Sequence, residues 1–334
     1  MPQILRTVLI PDEPQAADGP QNYDLPVNPL SGVLLTVQAL NDTAVIANYG
    51  WLVQLLAMIT DVRIAYRGAS VIQGNLLDLA ALYGCLSGWS TFQGVVIETD
   101  NNVRHVTVPL LFGRKPYDPS ECFPATRRGD LVMTLNYDVA TPGFDGLIIQ
   151  AETIELLEAQ PTQFCKVTTT SKLNNAVNEH DIELPIGNDL LGVMLFSALV
   201  PSGVVRTAQF GSVALEVDNV ETIIAESRWE TMRADFMRRY PDKQFQPHTH
   251  GFQYDPTLAA IQQARTREQE QTTSQWLQNY AYLDFDPMMD GSYALKTAGA
   301  ARVNLRVQTE VASAVPLRAL PIELVPIAGT QAAA

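Results

Sequence analysis

Positive charge is scarce in this sequence, and charge of either sign is low. The 334 residues include 22 Lys and Arg against 36 Asp and Glu, which gives a formal charge of −14, and charged residues make up 17% of the chain. About 25% is usual for soluble domains. Because phosphate binding needs a cationic surface, this composition argues against direct binding to nucleic acid. The low charged fraction of so long a chain indicates additional surface that is buried between subunits.

Cysteine is also scarce, whereas apolar side chains are not. Cys85, Cys122 and Cys165 are odd in number and share no short spacing. They therefore fit neither a disulfide framework nor a zinc site, and folding in a reducing compartment, a cytoplasm, is expected. Hydrophobic residues make up 46% of the chain. That is enough apolar side chain to offset the entropy of ordering, so the composition excludes a disordered protein.

No long hydrophobic run is present. Met1 to Pro11 lacks the charged start, long apolar stretch and cleavage site of a signal peptide. The longest uncharged run, Thr43 to Thr60, is at the lower limit for crossing a bilayer and contains Asn48, Gly50 and Gln54. This composition favours a buried or intersubunit helix over a membrane span, and we expect a soluble protein.

The sequence also lacks the motifs of the common enzyme classes. It contains no Walker loop, GxGxxG, GxSxG or HExxH motif, and its aromatic residues, 8% of the chain, are too scattered to form a sugar-stacking platform. The sharpest metal candidate is the pair His248 and His250, but Pro247 and Gly251 indicate a loop rather than the strand of a cupin site. His105 and His180 are isolated. The sequence therefore predicts no enzyme, with no catalytic, cofactor-binding or metal-binding residues and no cofactor.

One acidic cluster keeps a second ion hypothesis open. Asp284, Asp286 and Asp290 lie close together, but Pro287 and the residues after it break the spacing of an EF-hand. A strand end followed by a turn is the favoured interpretation. A looser calcium site, shared between subunits, is the alternative.

Most of the chain reads as short strands separated by Gly, Pro, Asn and Asp. In Asp130 to Tyr137 the apolar residues share one parity, which is the period of a strand with one buried face. Ser212 to Asp218 alternates in the same way. Strands at such close spacing favour a sandwich or barrel over βαβ units, so an all-β fold is predicted.

The strand pattern occurs twice. Leu25 to Leu40 (LPVNPLSGVLLTVQAL) and Leu184 to Leu199 (LPIGNDLLGVMLFSAL) share a Leu-Pro start, a Gly-Val pair and an Ala-Leu end, about 160 residues apart. Each half then has an alternating strand, a helix, a Gly-led strand and a closing Ile-Glu-Leu. These later pairs are Asp61–Arg67 with Ser212–Asp218, Asn75–Tyr83 with Arg228–Tyr240, Asp130–Tyr137 with Arg302–Val307, and Ile154–Leu156 with Ile322–Leu324. The sequence therefore predicts two copies of one β-domain with a boundary near Pro161.

The remaining segments complete a four-part division of the chain. Residues 1–22, rich in proline, are expected to form an extended arm, and residues 328–334 a simple tail. The domains are then 23–160 and 161–327, the second with a polar helical excursion near 255–280, for which Asp255-Pro256 supplies the start. The helix from Arg228 has a packed stripe that includes Trp229, and its arginine-bearing face is expected to be solvated.

This tandem arrangement, with a helix after a strand at one shared point, resembles the double jelly-roll major capsid proteins of tailless icosahedral viruses with an internal membrane. These are the tectivirus and corticovirus type, and more distantly the adenovirus hexon. The resemblance is most specific over two parts of the chain. The first is Ser227–Asp286, whose characteristic residues are Trp229, Arg233, Arg238, Arg239, Tyr240-Pro241-Asp242-Lys243 and Tyr280-Ala-Tyr282-Leu-Asp284-Phe-Asp286. The second is Gly32–Leu40, followed by Asp61–Tyr66. As architecture it covers Asp24 to Ile327. The sequence departs from the family in the long insertion between helix and strand and in lacking a glutamine-rich N-terminal helix.

The resemblance implies two tandem eight-stranded jelly rolls with short helices in the inter-strand loops. It also implies a structural role: a homotrimeric, pseudo-hexagonal capsomer that tiles an icosahedral virion shell. The implied partners are further copies of the chain, penton and minor capsid proteins, and an underlying internal membrane. The alternatives are a glycan-active or sugar-binding double jelly roll of the secreted type, and a minor capsid or spike protein.

Overall fold

The computed structural model describes residues 3–41, 52–87, 92–93, 103–139, 144–200, 208–221, 224–239, 252–255, 260–263, 277 and 279–327. The elements of the first half are, in chain order, β1 (Gln3–Gln15), β2 (Gly19–Asp24), β3 (Leu30–Asn41), α1 (Leu52–Ala57), β4 (Ile59–Tyr66), β5 (Ala69–Gly74), α2 (Leu76–Ser87), β6 (Phe92–Gln93), β7 (Val103–Leu111), β8 (Leu131–Tyr137) and β9 (Phe144–Leu157). Those of the second half are β10 (Gln163–Thr168), β11 (Thr170–Asn174), β12 (Glu179–Glu183), β13 (Asp189–Phe196), β14 (Ser212–Val217), β15 (Val220–Glu221), β16 (Ser227–Arg228), α3 (Trp229–Arg239), β17 (Phe252–Asp255), β18 (Ala260–Gln263), β19 (Tyr280–Asp284), β20 (Val303–Gln308) and β21 (Ser313–Pro326).

The same two runs of four neighbouring strands occur in each half. In the first half the strand orders are β1-β9-β3-β7 and β2-β8-β4-β5, and in the second they are β10/β11-β21-β13-β19 and β12-β20-β14-β15. Each strand of the first copy thus has a counterpart with the same neighbours. The fold is all-β with two similar domains in tandem, as the repeat predicted, and each is an eight-stranded jelly roll, as the resemblance implied.

A glycine bulge marks the same point in both copies. The register shifts between Leu30 and Gly32 in β3, and between Leu190 and Gly192 in β13. A Cβ on Gly32 would lie 2.7 Å from the backbone oxygen of Leu110, so a larger residue does not fit there. Gly192 is equally crowded, because its Cβ would lie 2.7 Å from a backbone oxygen of β19. The duplicated Gly-Val of the sequence is therefore a duplicated close approach of strands.

The N-terminal residues are not a separate arm. β1 pairs along its length with β9, and β2 pairs with β8, so residues 3–24 supply two strands of the first jelly roll. The prolines led to the prediction of an arm because proline weakens the sequence pattern of a strand. Pro11 and Pro14 lie in an edge strand that bulges at Val8/Ile10 and Ile10/Glu13, where a missing N–H costs little.

The excursion in the second half is at least partly strand. Phe252–Asp255 pairs antiparallel with Ala260–Gln263, so residues 260–263 of the predicted helix form a strand instead. The aromatic and β-branched residues Phe252, Tyr254 and Ile261 favour extended backbone and explain the difference. The remainder of the excursion, and the tail 328–334, lie outside the described residues.

The predicted buried helix within Thr43 to Thr60 is present where the structure describes it. Leu55 and Leu56 of α1 are buried, and the chain has already entered β4 at Ile59. Residues 42–51 lie outside the described part. No helix among the described residues has the length and apolar character needed to cross a membrane.

Candidate functional site

The two jelly rolls share a contact surface, here called the seam, that continues one sheet into the other. β5 of the first pairs parallel with β10 of the second, with Ile72 beside Val167 and Gln73 beside Thr168. The amide of Thr169 also donates to the carbonyl oxygen of Gln73 at 3.0 Å. Through this pairing the outer face of the second jelly roll's β10-β21-β13-β19 sheet is packed into the core of the first.

Apolar side chains fill most of the seam. Met194, Tyr280, Tyr282 and Ile322, from three strands of the second jelly roll, belong to the same hydrophobic cluster as helix α2 of the first. All four are essentially inaccessible to solvent. The charged groups described next are therefore held in an apolar, low-dielectric setting.

The first charged group centres on Asp78, which is fully buried in the first turn of α2. Arg318 of β21 donates two hydrogen bonds to its carboxylate, of 2.7 and 2.9 Å, and the Tyr280 hydroxyl donates a third of 2.6 Å. Burial by itself lowers the pKa of Arg318, but Asp78 outweighs it and the pKa is raised. The Arg318 guanidinium also lies over the Phe196 ring, 3.6 Å from its centroid. This bidentate pair fixes α2 to the second jelly roll.

The second group places one arginine between two carboxylates. Arg114 of the first half pairs with Glu121 and donates a 2.7 Å bond to Asp286 of the second half. Gln163 donates to Glu121 at 2.7 Å, and the amide of Gly291 donates to Asp286 at 2.9 Å. Burial alone lowers the pKa of Arg114, but the hydrogen bonds and charges of the two carboxylates raise it above its usual value. The guanidinium is therefore permanently charged, and the group is a second cross-link between the jelly rolls.

The predicted acidic cluster is taken up by these contacts. Arg239 donates two bonds of 2.6 Å to the two oxygens of Asp284, and Arg238 donates another of 3.0 Å. Asp290 accepts hydrogen bonds from the amide and hydroxyl of Ser292, which lower its pKa. Within the described ranges, no group of three or more His, Cys, Asp or Glu side chains is arranged to hold a metal ion. Two of the three carboxylates that suggested calcium therefore pair with arginines, and the third accepts hydrogen bonds within a turn.

The arginine face of α3 is packed, which corrects the expectation of a solvated face. Arg233 donates to the backbone oxygens of Leu277 and Tyr280, and its side chain is half-buried. Burial lowers the pKa of Arg233 to about 10. Arg239 is only 8% exposed, whereas Arg238 is half-exposed. The face is used to attach the helix to the end of β19.

The remaining residues singled out in the sequence have structural surroundings. Trp229 is buried and stacks on Phe210, with ring centroids 6.0 Å apart. His105 is half-buried in β7, and the His180 Nε2 lies 3.4 Å from the backbone oxygen of Ala176. The pair His248 and His250 lies outside the described residues.

The three cysteines are buried and free. Burial raises the pKa of Cys122 to about 12 and raises the pKa of Cys85 and Cys165 as well. A thiol that does not ionise near neutral pH is a poor nucleophile. These thiols therefore serve as small apolar side chains.

Sequence reasoning missed Asp78, Arg114, Glu121 and Arg318. One signal was present: Asp78 is the only charged residue in the apolar segment Leu76–Ser87, where a carboxylate requires a partner. Its partner lies 240 residues away in the sequence, so the pairing itself had no local signature.

Comparison with known proteins finds no sequence relative but a clear match in fold. No family model matches the sequence, and no curated protein matches it. The major capsid protein of Sulfolobus turreted icosahedral virus superposes with a TM-score of 0.67 at 13% identity, over 99% of each chain. The major capsid protein P2 of bacteriophage PM2 gives 0.56 at 12% identity, over 98% of this chain and 99% of that one. The capsid of the virus PBCV-1 gives 0.55 at 9% identity, over 97% and 94%.

These matches extend over nearly the whole chain and include both jelly rolls, so they are similarities of the complete tandem and not of one sandwich domain. The duplicated strand order described above accounts for them. The chain has the double jelly-roll fold found in the major capsid proteins of icosahedral viruses.

Proposed function

We propose that this chain is the structural major capsid protein of an icosahedral virus and that three copies form a pseudo-hexagonal capsomer. The observation that carries the proposal is that two jelly rolls with one strand order are joined through the β5–β10 pairing and the buried charged groups of the seam. Two similar units fixed side by side supply two of six corners, and three chains complete the ring. The fold match over 99% of both chains supports the same reading.

The chemistry of the described residues supports a structural role without catalysis. The buried carboxylates and arginines of the seam are paired with one another, and the cysteines are protonated at neutral pH. A groove of about 390 Å³ on the outer face of the β12-β20-β14 sheet is lined by Glu179, Glu226 and Arg306. Arg306 already pairs with Glu216 at 2.7 Å, so the positive charge of the groove is neutralised within the chain.

Several partners follow from this role. The chain first binds itself, as a homotrimer and then as neighbouring capsomers. At the vertices it meets penton and minor capsid proteins, and an internal membrane underlies the shell. The net charge of −14 supports a shell that does not itself bind the genome. The protein is then located in the virion, after assembly in the host cytoplasm.

Solution mass tests the proposal directly. Light scattering at micromolar and at tenfold lower concentration is expected to give three times 36.7 kDa, about 110 kDa, at both. Electron microscopy of that particle is expected to show a hexagonal outline. A monomer of 36.7 kDa at both concentrations would contradict the capsomer and favour a sugar-binding or glycan-active double jelly roll.

A further inference from the structure

The seam within one chain gives a pattern for the contact between chains. In the seam, β5, the edge strand of the first jelly roll, pairs in parallel with β10, the first strand of the second jelly roll. The counterparts of these two strands are the edge formed by β15 and residues 224–226 in jelly roll two, and β1 in jelly roll one. Within the described residues, β1 is paired on one side only, with β9.

Equivalent residues on β1 and β10 follow from the shared Ile-Glu-Leu. Ile154 faces both Gly32 and Arg6, and Ile322 faces both Gly192 and Val167. Arg6 is therefore the counterpart of Val167. By the same register Ile4 corresponds to Cys165, and Thr7 to Thr168.

Equivalent residues on the two edges, β5 and residues 224–226, follow from the turn that leads into each edge. The Arg67 amide donates to the oxygen of Asp130 at 2.7 Å, and the Asp218 amide donates to that of Arg302 at 3.0 Å, so the two turns match. The residues just before these amides, Tyr66 and Val217, are therefore counterparts. Two positions earlier on each strand lie Ile64 and its counterpart Leu215.

Ile64 pairs with Ile72, and the Leu215 amide donates to the oxygen of Ile224 at 2.8 Å. Ile224 is therefore the counterpart of Ile72. Ala225, the next residue, then corresponds to Gln73.

Burial at these positions differs between the closed junction and its open counterpart. Cys165 and Ile72 are 1% and 0% exposed inside the seam. Ile4, the counterpart of Cys165, is 59% exposed, and Val8 on the same strand is 55% exposed. Ile224 is half-buried where Ile72 is fully buried. The open edges thus carry apolar side chains at positions that are covered at the equivalent junction.

We propose that β1 of one copy adds in parallel to the edge at residues 224–226 of the next copy, reproducing the seam between chains. Thr7 then lies beside Ala225, as Thr168 lies beside Gln73. Ile4 and Val8 are buried against the second copy as Cys165 is within the chain. This inference rests on the trimer proposed above and names the strands that close it.

Cysteine cross-linking tests the register. The double variant Thr7→Cys/Ala225→Cys is expected to give covalent trimers and nothing larger on non-reducing gels after mild oxidation, because neighbouring parallel strands bring Cα atoms within disulfide range. Both positions are exposed and the native cysteines are buried, so background reaction is low. Thr7→Cys paired with Gln21→Cys, on the far strand β2, is the matched control and is expected to give no covalent trimer.

The outcomes separate this inference from the proposed function. A trimer by mass that does not cross-link at 7 and 225, while Gln73→Cys/Thr168→Cys forms its disulfide within the chain, would overturn the strand pairing and leave the capsomer intact. A wild-type monomer would overturn both.

A second variant tests the apolar contact without cysteine chemistry. Ile4→Asp/Val8→Asp changes exposed residues, so the folded chain is expected to keep its circular dichroism spectrum and melting temperature. Its trimer is expected to dissociate at a concentration at least about tenfold higher than wild type. Val177→Asp, 54% exposed at a turn of the second jelly roll, is the control and is expected to leave the trimer unchanged. An unchanged trimer in the double variant would overturn the proposal.

Discussion

The two jelly rolls place a glutamate at the same position and give it different partners. Glu155 in the first accepts hydrogen bonds from Thr7 and Asn28, both neutral. Glu323 in the second accepts one from Asn188, the counterpart of Asn28, and one from the ammonium of Lys166. Both carboxylates are buried. The asparagine–glutamate contact therefore belongs to the duplicated framework. The first strand contacts the glutamate from different positions: Thr7 in β1, and in β10 Lys166, the counterpart of Leu5.

The outer faces of the equivalent sheets differ more. In the second jelly roll this face carries large apolar side chains such as Met194 and Phe196 and is covered by the first jelly roll. The counterparts in the first are Leu34 and Thr36, and Thr36 hydrogen-bonds Thr107 across the sheet at 2.8 Å. Divergence between the copies thus follows what covers each face: in the second jelly roll this face packs on the first, whereas in the first the equivalent Leu34 and Thr36 are half-buried.

The largest expected effect comes from breaking the permanent contact. Asp78→Ala leaves the guanidinium of Arg318, 17% exposed, without its buried partner, and is expected to lower the free energy of unfolding by about 3–5 kcal/mol. Denaturant unfolding measures it, and separate transitions for the two jelly rolls are expected once the seam is weakened. Asp130→Ala, which removes the exposed pair with Arg67, is the control and should cost less than about 1 kcal/mol.

The double variant Asp78→Leu/Arg318→Met sharpens that test. Replacing both partners by apolar side chains of similar size removes the unpaired charge, so most of the lost stability is expected to return. If the double variant is as unstable as Asp78→Ala, the loss of stability comes from the packing of α2 and not from the unpaired charge of Arg318.

A smaller effect separates the two glycine bulges. Gly192→Ala and Gly32→Ala both place a Cβ 2.7 Å from a backbone oxygen, and overpacking of this kind costs about 1–3 kcal/mol. The alanine at 192 would also lie 2.2 Å from the hydroxyl of Tyr282, a fully buried ring in the seam. Melting curves are therefore expected to show the larger loss for Gly192→Ala. Equal losses would mean that the Tyr282 ring yields as easily as the Leu111 side chain, which would lie 2.8 Å from a Cβ at position 32.

What the sequence could predict was the part that repeats locally. The parity of Asp130 to Tyr137 and the paired Gly-Val and Ile-Glu-Leu identified strands and duplication, because alternation reflects one buried face of each strand. Strand β1 was missed because Pro11 and Pro14 weaken a strand signal, and only the structure shows that they lie on an edge.

The charged groups of the seam could not have been predicted by any local rule. Arg114 and Asp286 are 172 residues apart, and their contact follows from the way the two jelly rolls pack. In the acidic cluster, local spacing suggested a site that is not formed. The spacing suggested a metal ion, but the arginines that pair with Asp284 come from a helix about 45 residues earlier.

The smallest expected effect is that of calcium on the acidic segment of the second jelly roll. This segment has no acidic counterpart in the first, where Leu111 takes the place of Asp284 beside the bulge glycine. A cation at a hundred times its Kd would stabilise the fold by about 2.7 kcal/mol. Because Arg239 and Arg114 already neutralise Asp284 and Asp286, millimolar calcium would have to displace buried guanidinium groups to bind. The melting temperature is therefore expected to be the same in calcium and in EDTA, and magnesium at equal ionic strength is the control. A calcium-specific rise would show that the arginine pairs yield to an ion, and the acidic segment would then be a metal site that the second copy acquired after duplication.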